Sequence, residues 1–84
     1  MEIQKIISKV LKDRFGINSA IDSETNLIDE FGFESISLVE LASALTKETG
    51  ISIATSQAAK WTTIHSVLGT ISANSEAAVA NKVQ

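Results

Sequence analysis

The chain has no cysteine and no proline, one tryptophan, one histidine and only three phenylalanines in 84 residues. Without cysteine there is no disulfide framework and no thiolate zinc site, so any thiol chemistry must arrive on a cofactor. The lone His65 has no acids around it at ligand-like spacing, which leaves no metal centre to expect. Long apolar runs are missing as well. The opening MEIQKIISKV lacks the h-region of a signal peptide, and no stretch approaches the length of a membrane span. A cytoplasmic protein with no membrane span is the expectation. Basic residues number seven against ten acidic ones and lack aromatic company, which excludes a reader of nucleic-acid phosphates. Strand signals are nearly absent, since the apolar residues at 51–53 make too short a run to carry a sheet.

What is present describes one small domain near the lower size limit for a self-sufficient core, with an apolar share of 44% that argues against disorder. Residues 2–15 place Ile3, Ile6, Ile7, Val10, Leu11 and Phe15 on one stripe, with Lys5, Lys9 and Lys12 opposite. That is an amphipathic helix, closed by Gly16. A long connection follows to about Glu34, and Leu27, Ile28, Phe31 and Phe33 are suited to pinning it on the core. A second helix is expected from Ser35 to Thr49, closed by Gly50, and a short one within 55–60. The last helix should start near Thr62 or Thr63, either able to cap it, and carry Ile64, Val67, Leu68 and Ile71 inward. Gly69 weakens it. The fold class is therefore all-α: a small four-helix bundle of three longer helices and a short one, with a long loop between the first two. Residues 1–72 form the bundle. Residues 73–84, ANSEAAVANKVQ, have no clear buried face and read as a frayed helical extension or a loose tail.

The most informative segment is FGFESISLVEL, 31–41. Gly32 supplies a turn, Glu34 and Ser35 follow, and an apolar pattern of helical period then begins with Ile36, Leu38, Val39, Leu41, Ala42 and Leu45. Ser35 thus stands at the mouth of a helix, where unpaired N–H groups and the positive end of the dipole suit a phosphate. Serine is also a common N-cap, and Ser37 with Glu40 spells a capping box, so a plain cap is the competing reading. Charge gathers around this point. Residues 22–50 carry Asp22, Glu24, Asp29, Glu30, Glu34, Glu40 and Glu48 against Lys47 alone, a surface that steers toward basic partners.

The triplet Glu34-Ser35-Ile36, and the similarity running from about Leu27 through Lys60-Trp61-Thr62-Thr63-Ile64 to Ile71, resemble the acyl carrier protein family. Its members usually show Asp-Ser-Leu at this helix start and bear a 4′-phosphopantetheine arm on the serine. The resemblance implies a stand-alone carrier that holds acyl intermediates as thioesters and catalyses nothing itself. It implies Ser35 as the attachment point, flanked by Glu34 and Ile36. The partners it implies are a phosphopantetheinyl transferase and acyl-transferring or acyl-modifying enzymes, meeting Glu30, Glu40, Glu48, Ser37 and Leu38. The acyl chain would lie among Ile28, Val39, Ala58 and Trp61, although plain core packing is the first expectation for Trp61. A monomer is expected.

Several positions depart from the family pattern. Glu34 stands for aspartate and is a poorer cap, Ile36 adds a β-branch, and Ala54 stands where many carriers have proline. Ser37, Ser43, Thr46 and Lys47 thin the usual acidic row, which points away from general fatty-acid biosynthesis toward one specialised lipid or secondary-metabolite pathway. A serine hydrolase is disfavoured because Ser35 lacks the G-x-S-x-G turn. The alternative is an unmodified helical adaptor binding a partner helix.

Overall fold

Apolar residues three and four apart in the first segment must bury one face, and they do so in a helix, α1 (Ile3–Phe15), whose Ile7, Val10 and Leu11 are buried. The computed structural model describes residues 3–82, with side chains through Ser75. Among these residues there are four further helices: α2 (Leu27–Phe31), α3 (Ser35–Thr49), α4 (Thr55–Ala58) and α5 (Ile64–Lys82). Helix α3 packs on α1 and α4, and α5 packs on α1. The core between them is built from Ile7 and Leu11 of α1, Leu41 and Leu45 of α3, and Ile64, Val67 and Ile71 of α5, all essentially without solvent contact. Each such side chain contributes roughly 1.5–3 kcal/mol by leaving water. The exposed Lys9–Glu48 ion pair across α1 and α3, 3.2 Å long, adds little beside that.

The all-α bundle expected from the sequence is the architecture found. The connection between α1 and α3 holds more structure than its sequence suggested, because it contains α2. Asn26 caps that helix by accepting the N–H groups of Ile28 and Asp29, both at 2.9 Å. Gly32 closes it at φ 67°, a left-handed conformation that costs glycine nothing, and donates to the Ile28 carbonyl. Pinning falls to Leu27, Phe33 and, half-buried, Phe31. Ile28 takes no part and is 43% exposed, since on a five-residue helix only one side can face the core.

The rest of the connection serves as the cap of α5. The Thr25 and Ser23 carbonyls accept the N–H groups of Ile64 and His65 at 3.0 and 2.8 Å, donors that the first turn of a helix leaves without an internal partner. Thr63, one of the two caps expected, adds its Oγ1 as acceptor for Ser66 N–H at 3.3 Å. Helix α5 then continues through Lys82, so the backbone of the segment set apart as a tail is helical that far. Positions 83 and 84, and side chains from 76 onward, lie outside the described residues.

Gly69 sits in α5 at an exposed position, without a positive φ, and a Cβ added there would meet nothing within 4 Å. Gly69→Ala should therefore stabilise the domain by about 0.5–1 kcal/mol, read as a higher urea midpoint at unchanged slope. A lower midpoint would mean that the helix needs glycine there.

Candidate functional site

Three aromatic rings fix the chain just ahead of α3. Phe33 is buried, with its ring centre 4.8 Å from that of Phe15 in α1 and 6.1 Å from that of Phe31 in α2, both pairs tilted. Glu34 then leaves in an extended conformation, φ −110° and ψ 178°, as the residue preceding the first turn of α3. Its carbonyl accepts Leu38 N–H at 3.0 Å, which starts the helix. Ser35 is the first helical residue and is exposed.

The cap of α3 is only half made. The Glu34 side chain makes no cap hydrogen bond, in keeping with glutamate's weakness at that position. Ser37, one turn in, reaches back to accept Glu34 N–H at 3.3 Å. Ser37 is thus the third helical residue and not the cap of a Ser37–Glu40 box. Nor is Ser35 the cap, which removes the plain structural role that competed for it. The first-turn N–H groups of Ser35 and Ile36 have no carbonyl acceptor within the helix. They form, with the dipole, a donor set suited to a phosphodiester. The exposed Glu34 carboxylate beside them opposes an anion.

Burial of Leu38, Leu41, Ala42, Ala44 and Leu45 sets the rotation of α3. Ile36, roughly 160° around the helix from Leu38, consequently faces water and is 73% exposed. With Ile28 it is one of two exposed large hydrophobic residues among those described, and both belong to the elements framing Ser35. Glu40, Ser43 and Lys47 are exposed on α3 as well. Glu40 and Lys47 line a cleft of about 240 Å³ with Arg14 and Phe15 of α1. The face is therefore mixed in charge, not a row of acids.

Other expected site residues separate. Leu38 is 3% exposed and belongs to the core, so it supports the helix and is not available to a partner. Glu48 is paired with Lys9 toward α1. Glu30 is exposed, yet one carboxylate oxygen already accepts Asn26 N–H at 3.1 Å and steadies the start of α2. Ala58 and Trp61 are buried, Val39 is half-buried and Ile28 stands at the surface. Trp61 packs in the core and its Nε1–H donates to Thr70 Oγ1 at 2.9 Å.

Over residues 2–71 the chain matches the family model described as phosphopantetheine attachment site. It belongs to that family. Its prosthetic group is accordingly 4′-phosphopantetheine, and the chain is an acyl carrier protein, not an enzyme. A solved structure of a protein assigned as an acyl carrier from Mycobacterium tuberculosis is similar in fold, with a TM-score of 0.75 at 22% identity over 86% of this chain and 97% of that one. For this family member a phosphopantetheinyl transferase and acyl-handling enzymes are the implied partners. No helix among the described residues is long and apolar enough to cross a membrane.

Proposed function

We propose that this acyl carrier protein takes its 4′-phosphopantetheine on Ser35 and serves one specialised pathway from the cytoplasm. The observation that carries the assignment is the exposed Ser35 at the opening of α3, beside a half-made cap and the exposed Ile36. Its Oγ attacks the pantetheine-side phosphorus of coenzyme A in a reaction run by the transferase: the pyrophosphate P–O bond breaks, adenosine 3′,5′-bisphosphate leaves, and the hydroxyl proton passes to a base of the transferase or to water. Once in place, the arm offers a thiol on which acyl groups are held as thioesters. The protein's own part is to present the hydroxyl, to let the dipole of α3 favour the phosphodiester, and to give partners a surface to hold. Glu34 repels the phosphodiester, which favours an arm directed into solvent.

Docking uses the start of α3 and the loop before it. Ile36 offers the apolar anchor, Ser37 a hydroxyl, and Glu34, Glu40 and Glu30 carboxylates for Arg and Lys of the partner. Lys47 on the same helix interrupts that charge, which supports a partner other than one shaped for a wholly acidic row. Ile28, Val39, Ala58 and Trp61 are proposed to border the acyl chain.

The test is the rate of arm transfer from coenzyme A by a transferase, followed over a salt series. The rate should fall as salt rises, and Glu40→Lys and Ile36→Ser should each lower it about 5- to 30-fold, the worth of ~1–2 kcal/mol at an interface. Equal rates at all salt concentrations with both variants fully active would place docking elsewhere. Complete absence of transfer would favour the unmodified adaptor.

A further inference from the structure

Helix α4 is a single turn of four residues, Thr55–Ala58, too short to hold itself together in water. Only Ala58 of it is buried, against α3. Besides the burial of Ala58 and Trp61 in the core, polar contacts tie this segment to α5. The Gln57 side-chain amide donates to Asn74 Oδ1 at 3.1 Å, and the Asn74 amide donates back to Gln57 Oε1 at 2.9 Å. The same Asn74 amide also reaches the Ser52 carbonyl at 2.9 Å, so one side chain holds the segment at its start and at its middle. Three residues beyond Ala58, Trp61 Nε1–H donates to Thr70 Oγ1. Thr70 in turn donates to the Ser66 carbonyl at 3.1 Å, which fixes its hydroxyl with a lone pair turned to the indole. Thr70 and Asn74 are four apart and hence neighbours on one face of α5.

The segment 52–61 is thus a cover on the core, with Trp61 and Ala58 as its buried plug and two clips on α5. We propose that Thr70 and Asn74 are specificity-determining residues that hold this cover shut and so set the acyl-chain length at which cargo moves from solvent into the protein. The proposal rests on the carrier reading. Lodging a chain beside Trp61 and Ala58 requires the cover to lift and the clips to open. A short chain gains too little apolar burial to offset that, whereas each further methylene adds to the gain until lifting becomes favourable. Cargo below the threshold stays on the outside, open to partner enzymes and to water.

The test compares wild type, Thr70→Val and Asn74→Ala, each loaded with butanoyl, octanoyl or dodecanoyl arms, by the rate at which hydroxylamine cleaves the thioester. In wild type the protection should set in only at the longer chains. In both variants it should set in at a shorter chain, with octanoyl cleavage slowed by about 3- to 10-fold relative to wild type, the factor one lost side-chain hydrogen bond represents. Identical profiles in all three proteins would overturn the proposal. Amide hydrogen exchange on the unmodified proteins gives a second readout, independent of loading. Exchange at Gln57, Ala58 and Ala59 should quicken in the variants while Val10 and Leu11 of α1 stay as slow as before. Unchanged exchange at 57–59, or equal acceleration in α1, would show that the two residues do not act as clips. Failure to load at all would count against the carrier reading, and the exchange result would still decide the clips.

Discussion

Replacing Ser35 by alanine should abolish loading by a phosphopantetheinyl transferase altogether while leaving the domain folded. The loss is complete because the side-chain oxygen is the atom that bonds to phosphorus, and no other hydroxyl occupies the first helical position. Ser37 is the nearest candidate, but it is half-buried and its oxygen is engaged by Glu34 N–H. Stability should change by no more than about 0.5 kcal/mol, as for an exposed residue outside any cap or core. The pair of readouts, mass after incubation with coenzyme A and a urea curve, separates loss of the nucleophile from loss of the fold. A variant that still gains mass would move the attachment elsewhere.

Trp61→Ala should produce the largest effect on stability. The indole is 2% exposed, among the largest fully buried side chains, and its one polar atom is satisfied by Thr70. Removing it leaves a cavity in a core that cannot collapse to fill it, and orphans the Thr70 acceptor. The expected cost is about 3–5 kcal/mol, a large share of the roughly 5–15 kcal/mol that holds a small domain together. Far-UV circular dichroism against urea reads it without the lost fluorophore. A cost under about 1 kcal/mol, the size of a surface change, would mean that Trp61 does not carry the core. Because this variant is expected to be so weakened, the clips on α5 are the better place to probe cargo length.

Much of this fold could be read from periodicity. The stripe of α1, the inward residues of α5 and the glycine at the end of α3 each follow from one local rule that no tertiary contact overrides. Helix α2 was missed for want of length, since five residues show no period. Its signal was nevertheless present as a pair of punctuation marks, Asn26 before Leu27 and Gly32 after Phe31. Leu38 shows the opposite case. The family resemblance gives it to partner enzymes, but rotation is set by the whole helix, and Leu38 is one of the five buried residues of α3 while Ile36 faces water. The cap of α3 was half legible: Glu34 is the weak cap that its chemistry suggests, whereas the reach of Ser37 back to Glu34 N–H depends on a register that sequence alone did not fix. The ties from Gln57 to Asn74 and from Trp61 to Thr70 join residues 17 and 9 apart, and no short-range pattern reports such pairs.

The central claim, that the arm stands on Ser35 at the opening of α3, is tested most directly by mapping the modification. The protein is incubated with coenzyme A and a transferase, digested, and the peptides are fragmented in a mass spectrometer. The account predicts one phosphopantetheinyl group per chain, in the peptide spanning Phe33 to Lys47, with the fragment ions breaking on either side of Ser35. The group on Ser37, Ser43 or any other residue, or a chain that stays unmodified under conditions that load a known carrier, would contradict it.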